Sequence, residues 1–417
     1  MANTEKKESI KVIIGCCITL FSTGLIYTWS LYVKPLSDLY GWETNQITLA
    51  FSILTMMIPI VMIFASRVMQ KIGPSKTAFI GAVLLFSGLV VCKFATTIPM
   101  LYVGWGVLVG SGVGFIYGCP VPAATSWYPE KKGTISGLIL TTYGVGPIIF
   151  STIFTMLINK VGPNNMFLIH GVGVLVLLLI GIPMIKMAPK KEHNIDGGKE
   201  SINEIEKIHQ FTPSEMLKTS SFWLLILMYV IINMAGLGVI NSGSPIAQTL
   251  GGLTPLQAAT IVSFVSICNT SSRFIAGALA DKIGARNVLS LIFLTLTIFL
   301  LTFRFVSGFM MVGIWLGVVG LCFGGTLASY PSVVMDIYGS KYYPKNYAII
   351  FLAYGIGGLS ANPVFGYSIK QTGTYFMGFW MMGVACVIGL ILSLIFNRMV
   401  NNSKAKSAKE NVNLEGE

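Results

Sequence analysis

Residues 277–286 read Gly-Ala-Leu-Ala-Asp-Lys-Ile-Gly-Ala-Arg, and the centre of this stretch, Asp281-Lys-Ile-Gly284, has a counterpart in Gln70-Lys-Ile-Gly73. The two copies are 211 residues apart, counted from residue 70 to residue 281. The same step relates Thr142-Tyr-Gly-Val-Gly146 to Ala353-Tyr-Gly-Ile-Gly357. A constant spacing between segments this far apart indicates that the chain contains two related halves.

The amino-acid composition indicates the environment of these two halves. Of the 417 residues, 54% are apolar and 11% are charged, whereas about 25% of an ordinary soluble domain is charged. Uncharged runs extend over residues 12–33, 288–303 and 305–335. About 20 helical residues cross the hydrocarbon layer of a bilayer, so these runs predict membrane-spanning helices. The first run is full length and is followed by no small-residue cleavage site, which predicts a retained helix rather than a signal peptide.

The predicted fold class is an all-α membrane protein with twelve transmembrane helices in two pseudo-symmetric six-helix bundles. Most of the 28 Lys and Arg residues fall at the helix ends that share a side with the N-terminus, which predicts cytoplasmic termini. The net charge of +12 therefore indicates membrane orientation, and no nucleic-acid partner is expected. Helices are predicted near 11–34, 45–68, 77–95, 100–122, 134–157, 165–187, 220–245, 256–279, 287–306, 309–334, 346–368 and 375–397. The predicted units are a cytoplasmic N-terminus at 1–10, bundles at 11–189 and 220–398, a cytoplasmic linker at 190–219 and a cytoplasmic tail at 399–417.

Arg273 is the sharpest candidate for chemistry. It lies eight residues before Asp281, inside a predicted span, and a charge at that depth costs at least about 2.5 kcal/mol. No acidic residue occupies the interior of a predicted span, and Asp336 lies at a helix end. An anionic substrate would compensate the charge, because a guanidinium binds a carboxylate with two hydrogen bonds. The alternatives are that Arg273 pairs with backbone carbonyls or reaches Asp336.

Polar and aromatic side chains accompany this cation. Asn269 precedes Arg273 by four residues and shares its helix face, so it is expected to orient the guanidinium or bind substrate, with polar packing between helices as the alternative. Five tyrosines at matching depths each offer an apolar ring and one hydroxyl. They are candidates for substrate contact, with helix packing or an interfacial belt as the alternative: Tyr27, Tyr117, Tyr143, Tyr330 and Tyr354. No cofactor or metal site is expected, because the seven cysteines show no ligand spacing.

The stretch at 277–286 resembles the loop signature G-x-x-x-D-x-x-G-x-R of the major facilitator superfamily. In that comparison Asp281 and Arg286, together with Asp336, are expected to latch helix ends on the cytoplasmic side. Gln70 replaces the acid in the first-half copy, which predicts a weaker latch there.

Within that superfamily the chain looks like the oxalate/formate antiporter and monocarboxylate porter group. The residues that carry the resemblance are Tyr27-x-Trp29-x-Leu31-Tyr32-x-x-Pro35, Gly112-Val-Gly-x-x-Tyr117-Gly118, Trp127-Tyr-Pro129-x-Lys131-Lys-Gly133-x-x-Ser136-Gly137, Arg273, and Asp336-Ile-Tyr-Gly339 with Asn346-Tyr347. The resemblance implies that Arg273 anchors a carboxylate. Oxalate exchangers of the group are expected to carry a second cation where this chain has Tyr354, and the animal porters an acid where it has Asn269. One cation matches one carboxylate, so a monocarboxylate is the expected substrate.

These observations predict a secondary active transporter of small monocarboxylates such as lactate, pyruvate or formate, working by alternating access as a monomer in the cell membrane. Proton coupling is expected, because moving one proton with one anion is electroneutral. An oxalate/formate-type anion exchanger and a non-transporting membrane sensor of carboxylates are the alternatives. An enzyme is excluded, since the spans contain no Ser/His/Asp set, paired histidines or acidic residues.

Overall fold

The computed structural model describes residues 2–128, 132–189, 210–339 and 342–414. Most of the predicted linker at 190–219 lies outside these ranges, and for Asp281 the description covers the backbone only. Every regular element in the described ranges is helical. Residues before 190 are called the first half below, and residues after 209 the second half.

The first half contains one early interruption. The helix predicted near 11–34 is not continuous, because it gives way to a 3-10 turn at Leu25–Thr28 and resumes beyond it. The fourth predicted span contains a π-helical segment at Tyr102–Val109. The helices of this half are α1 (Ala2–Gly24), α2 (Ser30–Tyr40), α3 (Thr44–Ile72), α4 (Pro74–Lys93), α5 (Ile98–Leu101), α6 (Gly110–Tyr117), α7 (Pro120–Trp127), α8 (Lys132–Val161) and α9 (Pro163–Gly181).

The second half begins with a short helix and continues with longer ones. Its first long helix is uninterrupted, unlike the corresponding helix of the first half. The helices are α10 (Pro213–Leu217), α11 (Ser220–Gly251), α12 (Pro255–Ile283), α13 (Ala285–Leu301), α14 (Gly308–Tyr338), α15 (Tyr343–Ile350), α16 (Leu352–Thr372) and α17 (Phe376–Leu414).

Helix starts and stops repeat between the halves at the spacing found in the sequence. The capping box of Glu43 and Gln46 that starts α3 has its counterpart in Thr254 and Gln257 at the start of α12. Three pairs of glycines in the left-handed region stop equivalent helices: Gly41 (φ 68°) and Gly252 (φ 61°), Gly73 (φ 84°) and Gly284 (φ 84°), and Gly162 (φ 81°) and Gly373 (φ 68°). Glycine alone adopts this conformation without steric cost, so both halves end these helices by the same local device.

Ten helical segments of the described chain are long and apolar enough to cross a membrane. Two further helices fall short on that measure for different reasons. The 29-residue α12 is long, but the polar run from Ser266 to Arg273 lowers its hydropathy. The 17-residue α13 is apolar but shorter.

The halves meet mainly along two helix pairs, and α2 also contacts α11. The first-half α8 packs along α12, and the first-half α3 packs along α16. Glycine permits both close approaches. A Cβ atom at Gly144 of α8 would lie 2.0 Å from Oγ1 of Thr270, and one at Gly358 of α16 would lie 2.2 Å from Oγ1 of Thr55. These two seams enclose the site described next.

Candidate functional site

A small cavity lies between the halves at the depth of Arg273, and it is called the arginine cavity here. Its lining contains a single charged side chain, the Arg273 guanidinium from α12. Four tyrosines surround this cation, three of them from the first half. The full lining consists of Tyr27, Ile58, Tyr117, Tyr143, Arg273, Leu327, Phe351 and Tyr354.

Arg273 is held by neutral acceptors. Its Nη1 donates to the backbone carbonyl oxygen of Leu140 on α8, and its Nη2 lies 3.3 Å from Oδ1 of Asn269. The Nε atom is buried and has no hydrogen-bond acceptor in the described part of the chain. Among the described residues, no carboxylate lies within ion-pair distance of Arg273. The carbonyl pairing foreseen as an alternative is therefore present, and the guanidinium still retains unused donors.

The tyrosines form a connected cluster beside the cation. The Tyr27 and Tyr354 hydroxyl oxygens are 3.5 Å apart, which joins the two halves. The Tyr143 ring packs edge-on against Tyr27 at 5.2 Å and against Tyr117 at 5.4 Å between centroids. Tyr27 lies in the 3-10 turn that interrupts the first span. These perpendicular contacts fix the rings, so the cluster combines apolar walls with hydroxyl groups near one positive charge.

Two predicted residues have other surroundings. Tyr330 does not line the arginine cavity, because its hydroxyl donates to the Leu225 carbonyl oxygen at 3.1 Å and its ring stacks on Tyr229 at 3.9 Å. Asn269 lies outside the lining as well, but it touches Arg273, and its Nδ2 is 3.4 Å from the Gly320 carbonyl oxygen. Asn269 is thus placed to orient the guanidinium.

The predicted latch residues are apart from the cavity. Nη1 of Arg286 donates to Oδ1 of Asn401 on α17 at 3.0 Å. Asp336 is exposed near the end of α14, and in the described part of the chain no cation lies within ion-pair distance of it. The side chain of Asp281, the third predicted latch residue, lies outside the described part of the structure.

The sequence did not single out three residues that complete the cavity wall. Phe351 stacks on Tyr354 at 4.8 Å and lies parallel to Tyr117 at 6.3 Å, while Ile58 and Leu327 supply aliphatic surface. Phe351 and Tyr354 are close in sequence, and the break between α15 and α16 lies at Phe351. No periodic signal distinguishes such residues from ordinary helix packing.

Hydrogen bonds also connect the halves toward the end of the molecule opposite the chain termini. The Thr48 hydroxyl donates to Oδ1 of Asn362, whose Nδ2 is 3.2 Å from the Asn45 carbonyl oxygen. Nδ2 of Asn241 on α11 donates to the Thr48 carbonyl oxygen at 3.0 Å. This group is called the far-end latch, and it comprises Asn45, Thr48, Asn241 and Asn362.

The fold and the site define a class of protein. Apolar helices of spanning length surround a cavity between two related halves, as expected of a multi-pass membrane transporter. The family model described as Major Facilitator Superfamily matches residues 13–269 and 230–415, and the chain belongs to that superfamily. It is accordingly a transporter of the plasma membrane and not an enzyme.

Three individual relatives show how similar the chain is to known proteins. The chain is 31% identical over 353 residues to an uncharacterized MFS-type transporter, YhjX, of Escherichia coli (strain K12), covering 83% of this chain and 85% of the relative. It is 27% identical to the oxalate:formate antiporter of Oxalobacter formigenes, covering 82% and 80%. Monocarboxylate transporter 12 of Mus musculus is 21% identical, covering 94% and 86%.

Proposed function

We propose that this chain is a secondary active transporter of small monocarboxylates that works by alternating access and couples transport to protons. The observation that carries the proposal is the environment of Arg273. This cation lies at the boundary of the halves, and its hydrogen-bond partners among the described residues are all neutral. Two of the relatives are named for transport of small organic anions. One guanidinium balances one carboxylate, so monocarboxylates are favoured over dicarboxylates.

The proposal includes a topology of twelve spans with both termini in the cytoplasm. It adds α12 and α13 to the ten segments that qualify by length and hydropathy, because α12 carries the substrate anchor and α13 follows it directly. Six spans fall in each unit, 11–189 and 220–398, joined by the linker 190–219. The positions of Lys and Arg support this orientation.

The electrostatics of the site support alternating access. A bound carboxylate neutralises Arg273 and lowers the cost of enclosing that charge while the halves close. Cotransport of one proton per anion avoids electrical work of about 2.3 kcal/mol per charge per 100 mV. The second candidate is anion exchange, which is favoured by the composition of the arginine cavity, since no acidic or histidine side chain lines it.

Uptake into proteoliposomes tests the function. We expect Arg273→Ala to reduce radiolabelled lactate uptake by about 10- to 100-fold, since charge-assisted hydrogen bonds contribute about 1.5–3 kcal/mol. Arg304→Ala is the matched control, because that arginine is exposed in the turn after α13. Uptake that survives Arg273→Ala in a well-folded preparation would overturn the proposal.

The same preparation separates the coupling modes. Uptake driven by an imposed inward proton gradient into empty vesicles supports proton coupling. Uptake that requires preloaded internal carboxylate and ignores the gradient supports exchange. Binding without any uptake would identify the chain as a sensor.

A further inference from the structure

A second cavity adjoins the arginine cavity and is called the aliphatic cavity here. It lies between the first-half turn and α2 and α8 on one side and α11 and α12 on the other. Five aliphatic side chains dominate its wall: Val239, Ile240, Ile261, Val262 and Val265. All five are buried within the protein. A wall of this kind favours a hydrocarbon group, which gains dispersion contacts and loses contact with water when it binds there.

Two residues join the cavities. The Tyr27 ring belongs to the wall of both. Asn269 lines the aliphatic cavity and at the same time touches the Arg273 guanidinium through its Oδ1 atom, 3.3 Å from Nη2. A carboxylate held by Arg273 would lie beside Tyr27, and the opposite surroundings of that ring are aliphatic.

Ser30 supplies an independent sign of a ligand. Its side chain is fully buried and lines the aliphatic cavity, and within the described ranges its Oγ has no hydrogen-bond partner. By contrast, the Ser266 hydroxyl in the same wall is bonded to the Val262 carbonyl oxygen at 3.0 Å. A buried hydroxyl without a partner is costly, and an oxygen atom on the ligand's carbon chain would satisfy it.

Gly243 lies in the cavity wall and has room for a side chain. A Cβ atom placed on Gly243 would meet one neighbouring atom, Cγ2 of Val262, at 3.9 Å. This is ordinary van der Waals contact, so a side chain at position 243 can enter the cavity without displacing backbone. Gly144, in the opposite wall, has no such freedom, because its Cβ would lie 2.0 Å from Thr270 Oγ1.

We infer that the aliphatic cavity is a subsite for the carbon body of the substrate, which makes the preferred ligand a short aliphatic monocarboxylate that is larger than acetate and carries a hydroxyl or oxo oxygen. This inference rests on the proposed function, because Arg273 must hold the carboxylate. Gly243 determines the chain length accepted, and Ser30 recognises the additional oxygen. Formate would occupy the arginine cavity alone.

The test is a competition series against radiolabelled lactate uptake in proteoliposomes, using formate, acetate, propionate, butyrate and 2-hydroxybutyrate. In the unmodified chain we expect apparent affinity to rise about fourfold per added methylene from acetate to butyrate. Gly243→Val should abolish this rise while formate and acetate affinities stay within about twofold. Ser30→Ala should lower the affinity for 2-hydroxybutyrate about fivefold and leave butyrate unchanged.

Controls keep the outcomes distinct. Gly313→Ala is matched to Gly243→Ala, because a Cβ at Gly313 also makes an ordinary contact, 3.8 Å from Ile261 Cγ1, but position 313 does not line the cavity. If Gly243→Val fails to fold, the smaller Gly243→Ala substitution must reduce butyrate affinity selectively. Equal affinities across the acid series, or equal losses for all acids in the Gly243 variants, overturn the subsite. If uptake depends on Arg273 in that case, the proposed function still stands, whereas uptake independent of Arg273 overturns the function itself.

Discussion

Arg273 on α12 donates a hydrogen bond to the backbone carbonyl of Leu140 on α8, so the one charged residue lining the arginine cavity is tied to the opposite half of the chain. A carbonyl is a weaker acceptor for a guanidinium than a carboxylate. The guanidinium has five N–H donors, and its buried Nε has no acceptor among the residues that the structure describes. A substrate carboxylate would bind at the unused donors, beside the contact that joins the halves.

The first prediction concerns the neighbour of this cation. Asn269→Asp places a negative charge where Oδ1 now lies 3.3 Å from Nη2 of Arg273. The new carboxylate would neutralise the site and repel an anionic substrate, so we expect lactate affinity in the proteoliposome competition assay to fall at least about tenfold. Asn269→Ala removes only a neutral acceptor and should cost about fivefold. An unchanged affinity in the Asp variant would show that substrate binds away from Arg273.

The second prediction concerns the far-end latch. Removing the Thr48–Asn362 hydrogen bond by Asn362→Ala should weaken closure at the end opposite the termini by about 1 kcal/mol. The population open at that end should rise about fivefold. Spin labels at Leu39→Cys and Lys370→Cys, both exposed there, should report a longer distance between α2 and α16.

The labelling experiment needs two precautions. Cys17 and Cys268 are replaced by serine, because they are the two native cysteines that are not fully buried. Ser360→Ala is the control on the same helix, since its exposed hydroxyl bonds the Ile356 carbonyl oxygen at 2.8 Å within α16. An identical distance distribution in Asn362→Ala and Ser360→Ala would mean that the latch does not restrain the halves.

The third prediction concerns the seam between α8 and α12. Gly144→Ala would bring a Cβ within 2.0 Å of Thr270 Oγ1, and overpacking of this kind costs about 1–3 kcal/mol. We expect a lower midpoint of thermal unfolding in detergent, followed by tryptophan fluorescence, and reduced uptake. Thr270→Ala in the same chain should restore most of the unfolding midpoint and of the uptake. The Thr270 hydroxyl has no hydrogen-bond partner among the described residues, and the next atom, Cβ of Thr270, lies 3.2 Å from the added Cβ.

Gly137→Ala is the control for that seam. It lies on the same helix α8, and among the described residues no atom outside the local helix backbone lies within 4 Å of the added Cβ. The seam would lose its assigned importance if both alanine variants unfolded at the same temperature.

The fourth prediction concerns the charge of the cavity. Tyr354→Lys introduces a second cation near the position of the Tyr354 hydroxyl, which lies 3.5 Å from the Tyr27 hydroxyl oxygen. Two cations match a dicarboxylate, so oxalate should compete about tenfold more strongly against lactate uptake than in the unmodified chain. Tyr354→Phe controls for loss of the hydroxyl without added charge. Strong oxalate inhibition of the unmodified chain would contradict the matching of one charge to one carboxylate.

Local patterns determined much of this molecule. Apolar runs identify spanning helices because the bilayer selects length and hydropathy residue by residue. The 211-residue repeat reappears in the capping boxes and left-handed glycines, since helix ends depend on a few neighbouring residues. Arg273 stands out in the sequence because a charge within a span is expensive.

Only the tertiary structure decided how these elements face one another. The depth of Tyr330 matches that of the other tyrosines, yet rotation of α14 directs its ring onto Tyr229 instead of the arginine cavity. The hydrogen bond from Arg273 to the Leu140 carbonyl joins residues 133 positions apart, and the one from Thr48 to Asn362 joins residues 314 positions apart. Sequence periodicity gives the face and depth of a side chain within one helix, whereas the acceptor it meets depends on the rotation and approach of a second helix, which arise from packing of the whole bundle.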